Sequence, residues 1–79
     1  MNQRIKQMAI NGEGFLFDPT SGESFTVNPT AALMIRGMQE GRSPKEIITR
    51  LTDTFDVPSE RAERDYADFI AQLKLNQLV

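Results

Sequence analysis

A seven-residue stretch in the first half of the chain decides the fold, and it reads Glu23-Ser24-Phe25-Thr26-Val27-Asn28-Pro29. Its first five residues alternate polar and apolar side chains, which is the period of a half-buried strand. Asn28 then favours a helix start, because an asparagine side chain caps free backbone N–H groups, and Pro29 fits the first helical position. The sequence therefore predicts strands before this stretch and helices after it.

Two further strands are predicted on the N-terminal side. Residues 18–22, Asp-Pro-Thr-Ser-Gly, form a predicted turn, since proline presets φ and glycine accepts positive φ. This turn connects a short aromatic strand, Phe15–Phe17, to residues 23–27 as a hairpin. Residues 5–10 are the candidate for a third strand, which would end at the glycine-containing residues 11–14.

The hairpin also predicts which side chains face the core. Phe15 and Phe17 are two residues apart, so we expect them to share one face of the sheet. Phe25 and Val27 have the same spacing and are expected to face the same core from the partner strand.

Three helices are predicted in the second half. The first begins at Pro29 and ends near Gly41, with Gly37 inside it at a cost of about 1 kcal/mol relative to alanine. The second begins at a capping box formed by Ser43 and Glu46. Apolar stripes at helical spacing mark their buried faces: Ala31, Met34, Ile35 and Met38 on the first helix, and Ile47, Ile48, Leu51 and Phe55 on the second.

The third helix is predicted over Ser59–Leu75, with its cap at either Asp56 or Ser59. Its apolar stripe comprises Ala62, Tyr66, Phe69, Ile70 and Leu73. Opposite charges four residues apart predict ion pairs on its outer face, each contributing about 0.2–0.5 kcal/mol. These pairs are Glu60 with Arg64, Arg61 with Asp65, and Arg64 with Asp68.

Strands followed by helices indicate the α+β class and argue against a wound parallel sheet. We expect one domain over residues 1–79. In it, a small three-stranded antiparallel β-sheet would be followed by three α-helices that cover one of its faces.

The residue inventory excludes most catalytic chemistry. The 79-residue chain contains no histidine and no cysteine, and its net charge is −2. A serine or threonine nucleophile therefore lacks a histidine base, and thiolate metal sites and iron–sulfur ligation are excluded. The carboxylates are too scattered for an oxygen-ligand metal site. We predict no catalytic residue, no metal and no cofactor, so we expect a binding protein that is not an enzyme.

The hydropathy of the chain predicts its cellular location. No apolar run approaches the ~18 residues that a membrane helix needs. The first residues also lack the apolar core of a secretory signal. We therefore expect a cytoplasmic protein with no membrane partner.

The order of short motifs from Leu16 to Val79 resembles the family of coenzyme PQQ synthesis protein D, the PqqD-like domains. The matching motifs are Val27-Asn28-Pro29-Thr30, Gly41-Arg42-Ser43 with Glu46-Ile47, Phe55-Asp56-Val57, Ala62-Glu63-Arg64-Asp65, Phe69-Ile70 and Leu78-Val79. The resemblance implies a winged-helix-like fold. It also implies that the chain binds the leader segment of a ribosomally made precursor peptide. Such domains present the leader to a modifying enzyme, often a radical-SAM enzyme, as in the biosynthesis of PQQ or related peptide-derived products.

Members of this family typically bind the leader as an added strand at the sheet edge, beside the third helix, which is a known mode of peptide recognition. The resemblance thus implies peptide-binding residues on the edge strand and the third helix: Ser24, Phe25, Thr26, Val27, Arg61, Arg64, Asp65, Phe69, Gln72 and Leu73. Arg61 and Arg64 are expected to pair with acidic leader residues. A free edge permits a strand-exchanged dimer as well as a monomer.

A DNA-binding winged helix, or another small regulatory interaction domain, is the alternative interpretation. A recognition helix needs a basic face to meet phosphates and bases. The third helix instead carries four acidic residues, Glu60, Glu63, Asp65 and Asp68, against three basic ones, Arg61, Arg64 and Lys74. We therefore predict no nucleic-acid partner.

Overall fold

The computed structural model describes residues 4–79. In chain order the elements are α1 Arg4–Gln7, β1 Ala9–Ile10, β2 Phe15–Phe17, β3 Ser24–Thr26, α2 Pro29–Gln39, α3 Pro44–Phe55 and α4 Ser59–Leu75. The predicted α+β arrangement, a three-stranded antiparallel sheet followed by three helices, is confirmed. The helical turn α1 precedes the sheet and was not predicted. The domain expected over residues 1–79 includes residues 1–3, which lie outside the described residues.

The segment predicted as the first strand, residues 5–10, is only partly a strand. It forms most of α1 and the two-residue strand β1. Ile5 and Met8 are three residues apart and both buried, which is the spacing of a helical face. The Ile5 N–H donates to the Leu78 carbonyl at 2.9 Å, so a contact with the far end of the chain helps to fix this segment. The prediction of a first strand is thus confirmed only for Ala9–Ile10, and it was wrong for residues 5–7 because the local pattern does not contain that contact.

The register of the sheet places Leu16 on the face toward the helices. Leu16 lies directly opposite Phe25 in the antiparallel β2–β3 pair, and directly opposite residues share a face. Phe25 and Val27 pack against the core, as predicted. Phe15 and Phe17 share one face, as predicted, but it is not the core face. They are 43% and 38% exposed, because side chains alternate along a strand and Leu16 takes the inner position.

Capping side chains begin α2 and α3 where the sequence predicted them. The Asn28 side chain accepts a hydrogen bond from the Ala31 N–H at 2.8 Å. Ser43 and Glu46 form the reciprocal capping box, with bonds of 3.0 and 3.2 Å. Gly41 follows the end of α2 with φ of 77°, a left-handed conformation that favours glycine.

The start of α4 differs from the prediction. The helix covers Ser59–Leu75, as predicted, but its N-cap is Pro58, which has no side-chain cap hydrogen bond. Neither proposed cap acts as one. Asp56 ends α3 in a left-handed conformation, with φ of 53°, and Ser59 is already the first helical residue.

Two clusters of buried side chains form the core. The first joins the sheet, α2, α4 and the two ends of the chain, and it comprises Ile5, Met8, Leu16, Ile35, Leu73 and Leu78. The second joins α2, α3 and α4, and it comprises Met34, Ile47, Leu51 and Ala62. Met38 and Phe69 pack against both clusters. Phe69 therefore holds α4 both to the sheet and to the helices.

Gly37 has a packing role that its helix propensity does not show. A β-carbon at this position would lie 2.6 Å from Cγ1 of Ile47, on the facing helix α3. Glycine thus lets α2 and α3 approach closely, which offsets the intrinsic cost of glycine inside a helix.

Candidate functional site

Strand β3 lies at one edge of the sheet, whose order is β1-β2-β3. Its inner side bonds to β2. The Val27 N–H donates to the Gly14 carbonyl at 2.8 Å, and the Asp18 N–H donates to the Glu23 carbonyl at 2.8 Å. Main-chain groups of alternate residues point to the same side of an antiparallel strand. Odd-numbered residues in this segment therefore direct their N–H and C=O groups toward β2.

The even-numbered residues of β3 direct their main chain the other way. By the same alternation, the N–H and C=O groups of Ser24 and Thr26 point out of the sheet. Among residues 4–79, no strand pairs with this outer side of β3. The edge thus offers a short row of donors and acceptors to an extended chain.

Gly14 fixes the end of β3 against β2. Its φ is 83°, a conformation that other residues rarely adopt. A β-carbon at Gly14 would collide with the carbonyl oxygen of Val27. The close approach of the two strands at this point therefore depends on glycine.

A buried carboxylate fixes the turn before β3. Asp18 accepts hydrogen bonds from the Thr20 hydroxyl at 2.6 Å and the Thr20 N–H at 2.9 Å. Arg4 Nη2 lies 2.7 Å from Asp18 Oδ2 and 3.1 Å from Glu23 Oε1. The hydrogen bond from the Thr20 hydroxyl, followed by that from the Arg4 guanidinium, holds the pKa of Asp18 well below its usual range. Arg4 thereby ties α1 to both ends of the β2–β3 turn.

A cavity of about 150 Å³, the edge cavity, lies between β3 and α4. Its lining is mostly apolar, with a few amide and hydroxyl groups. The lining residues are Leu16, Phe25, Thr26, Val27, Ile35, Phe69, Gln72, Leu73, Asn76 and Leu78. A chain paired with β3 would direct alternate side chains into this cavity.

A second cavity of about 360 Å³, the helical cavity, continues along α4 toward its N-terminal end. It shares Phe69 and Gln72 with the edge cavity. The start of α2, the end of α3 and the α3–α4 connection complete its walls. Its other lining residues are Asn28, Thr30, Ala31, Met34, Leu51, Phe55, Val57, Arg61, Ala62, Asp65 and Asp68.

Most of the residues predicted as the peptide site come together around these cavities. Phe25, Thr26, Val27, Phe69, Gln72 and Leu73 line the edge cavity. Arg61 and Asp65 line the helical cavity, together with Phe69 and Gln72. Ser24 lies on the open edge, and Arg64 lines neither cavity.

The sequence did not indicate Met34, Phe55 or Val57 as part of a site. Met34 and Phe55 were assigned to the buried stripes of their helices. Phe55 ends α3 and is only half-buried, so it also forms part of a cavity wall. Helical periodicity identifies a buried face, but it does not show where residues of that face become accessible in a groove.

The charges on α4 are arranged differently from the predicted outer-face pairs. Arg61 Nε lies 3.7 Å from Asp65 Oδ2, the one predicted pair that forms among residues 4–79. The predicted pairs of Arg64 with Glu60 and Asp68 do not form in this part of the chain. Arg61, Asp65 and Asp68 all border the helical cavity, so these charges face the groove.

Residues 4–79 contain no group of three or more histidine, cysteine, aspartate or glutamate side chains placed to hold a metal ion. No helix in this range is long and apolar enough to cross a membrane.

The chain is similar to known proteins in sequence and in fold. The family described as coenzyme PQQ synthesis protein D (PqqD) matches residues 13–79. A solved structure, lasso peptide synthetase B1 complexed with the leader peptide, is 37% identical to this chain, with a TM-score of 0.73. The match covers 89% of this chain and 84% of that chain. A search of curated proteins found no match.

Proposed function

The chain belongs to the family of coenzyme PQQ synthesis protein D, PqqD, and from this premise we propose that it is a non-catalytic module that binds the leader of a ribosomally made precursor peptide. The leader adds as a strand to the open side of β3. The module then presents the bound peptide to a modifying enzyme. The similar lasso peptide synthetase B1, whose structure contains a leader peptide, supports this proposal.

The open edge of β3 above an apolar cavity is the observation that carries the proposal. Ser24 and Thr26 supply outward N–H and C=O groups, which give affinity without regard to sequence. The edge cavity, between β3 and α4, supplies selectivity for alternate side chains of the peptide. The site needs no large interior, which a chain of 79 residues does not provide.

Each predicted site residue has a role in this proposal. Phe25, Val27, Phe69 and Leu73 contact apolar side chains of the leader, and Gln72 contacts its polar groups between the two cavities. Asp65 and Arg61 border the helical cavity and contact charged residues of the peptide. Arg64 contacts only a leader that crosses the outer rim of α4, because it lines neither cavity.

The remaining parts of the proposal concern partners and setting. The modifying enzyme is a radical-SAM or other peptide-modifying enzyme, in PQQ biosynthesis or a related peptide pathway. The module is one winged-helix-like domain over residues 1–79, acts in the cytoplasm, and is a monomer or a strand-exchanged dimer. The family and its peptide-complexed structural relative support the class of partner, and the open edge permits the exchanged dimer.

A titration followed by NMR tests the proposal. Synthetic peptides are made from the N-terminal parts of short reading frames next to the gene and added to the ¹⁵N-labelled chain. We expect the largest amide shifts at residues 23–27 and along the groove side of α4. The exposed face of α3 serves as the internal control and should not shift. Saturable binding that shifts only residues outside β3 and α4 would contradict the proposal.

A further inference from the structure

The groove extends beyond the part that β3 can pair. Residues of α4 and its C-cap, from Arg61 to Asn76, border the two cavities over about 22 Å at 1.5 Å per residue. An extended peptide covers that length with roughly seven residues. β3 has three residues, and its outward hydrogen-bonding groups belong to two of them. A peptide that follows the whole groove therefore extends past the strand and passes over the helical cavity, where no strand of residues 4–79 pairs with it.

The walls of the helical cavity are suited to an apolar side chain. Met34, Phe55, Val57 and Phe69 come from four different segments and converge on it. Its volume of about 360 Å³ is more than twice the 150 Å³ of the edge cavity. The helical cavity therefore has room for a large apolar side chain.

The rim of the helical cavity has an excess of negative charge. Arg61 is 3.7 Å from Asp65, so these two charges largely offset each other. Asp68 forms no ion pair among residues 4–79, and its carboxylate borders the cavity next to Phe69 and Gln72. A carboxylate beside an apolar wall attracts a cation on the ligand and disfavours an anion.

We propose that the helical cavity is a second subsite, which takes a large apolar side chain of the leader together with a neighbouring lysine or arginine that pairs with Asp68. This inference rests on the proposed function and specifies the leader that the module selects. It reverses the charge preference expected from Arg61 and Arg64, since Arg61 is already paired and Arg64 lies outside the groove. The helical cavity thus adds to the selectivity of the edge cavity, while main-chain pairing with β3 supplies affinity.

A selection from random peptides tests the subsite without knowledge of the natural leader. Peptides of about twelve residues, long enough for the ~22 Å groove, are displayed and selected on the full chain at low salt. We expect the selected peptides to share a large apolar residue with a lysine or arginine within two positions of it. One selected peptide is then synthesised with its basic residue intact, neutralised to glutamine or reversed to glutamate.

Affinities of these peptides are measured for the natural chain and for Asp68→Asn and Asp68→Lys. Neutralising either partner is expected to weaken binding about threefold, within the range for exposed ion pairs. Asp68→Lys is expected to favour the glutamate peptide over the lysine peptide. Glu63→Gln, on an exposed part of α4 away from both cavities, removes one charge and is the matched control. It should leave the peptide preference unchanged.

The outcomes separate the two proposals. If Thr26→Pro abolishes the selected binding but Asp68 variants keep the natural charge preference, the proposed function stands and the second subsite is wrong. The same conclusion follows if selected peptides lack the basic residue. If no peptide is selected, or if Thr26→Pro leaves binding intact, both proposals are wrong.

Discussion

Beside β1, one edge of the sheet, side chains of α2 donate to main-chain carbonyls of the flanking residues. At β3, the other edge, the outward groups meet no strand among residues 4–79. The Gln39 amide donates to the carbonyls of Ile5 and Met8 at 3.0 and 2.8 Å. Arg36 donates to the carbonyl of Asn11 at 3.1 Å. These bonds hold the backbone immediately before and after β1.

The difference between the edges supports β3 as the edge that receives the peptide in our proposal. Exposed edges promote aggregation, and proteins usually shorten or cover them. Here β1 has two residues and is flanked by satisfied backbone, while β3 is longer and has an adjoining apolar cavity. This contrast supports the proposal that the leader adds as a strand at the open edge of β3, beside the groove.

Proline at adjacent positions of β3 gives the largest expected contrast. The Thr26 N–H points outward, so Thr26→Pro should change the free energy of unfolding by less than about 1 kcal/mol. The same change blocks strand addition and should weaken peptide binding by about tenfold or more. Val27→Pro instead removes the hydrogen bond to the Gly14 carbonyl and should destabilise the fold by about 1–3 kcal/mol. Urea unfolding and fluorescence anisotropy with a bound peptide measure both effects.

Two results would contradict this prediction. Equal destabilisation by the two prolines would show that Thr26 is not on the outer side of the ladder. Full binding by a folded Thr26→Pro variant would show that the peptide does not pair with β3.

Two glycines in one turn test what positions the open edge. Gly14→Ala forces a β-carbon into the Val27 carbonyl at positive φ, so we expect a loss of about 2–3 kcal/mol in the free energy of unfolding. Gly12→Ala is the matched control, since a β-carbon there meets nothing within 4 Å. It should be neutral or slightly stabilising. Thermal unfolding of both variants measures the difference, and similar midpoints would contradict the assigned role of Gly14.

Removing an α2 side chain near β1 should leave a backbone carbonyl beside this edge without its side-chain donor, which makes the edge more like that of β3. Gln39→Ala removes the side-chain donor of the Met8 carbonyl and one of the two donors of the Ile5 carbonyl, which is expected to cost about 1–2 kcal/mol. It should also promote self-association at high protein concentration, because backbone next to an edge strand becomes free to pair. Gln7→Ala, on the exposed side of α1, is the control. Sedimentation velocity measures the association. If Gln39→Ala is as stable and as monomeric as the control, the Gln39 side chain does not protect the β1 edge from pairing.

Acid should loosen the turn that leads into β3. The folded-state pKa of Asp18 is lowered, so its stabilising contribution is complete above the unfolded-state pKa. That contribution is lost as the pH falls from about 4 toward the lower folded-state value. Asp18→Asn should be less stable than the natural chain at neutral pH, and the difference should shrink in acid. Urea unfolding across this pH range measures it, and a constant difference would argue against an ionised Asp18 paired with Arg4.

Local signals in the sequence predicted much of the fold, and contacts between distant segments account for the failures. Asn28 and the Ser43–Glu46 box carry their own hydrogen-bonding partners within a few residues, so α2 and α3 were predicted from them. Phe15–Phe17 has no polar residue to mark a face, and the contact of Leu16 with the core decides it. The turn α1 depends on a bond to Leu78, more than seventy residues away.

The candidate site was also predicted only where local signals mark it. The edge strand followed from its alternation and the family resemblance, and six of the ten predicted residues line the edge cavity. The helical cavity was not predicted, because its walls combine Met34, Phe55 and Val57 from separate segments. Nor does charge spacing on α4 alone show that Arg61 pairs with Asp65 while Asp68 borders the groove.

Amide hydrogen exchange along β3 tests the central claim most directly. In the free chain, the Ser24 and Thr26 amides should exchange rapidly, while the Phe25 and Val27 amides, bonded to β2, should be protected. Saturation with a leader peptide should protect Ser24 and Thr26 and leave Phe25 and Val27 little changed. Protection of Ser24 and Thr26 in the free monomer, or continued rapid exchange in the saturated complex, would contradict strand addition at β3.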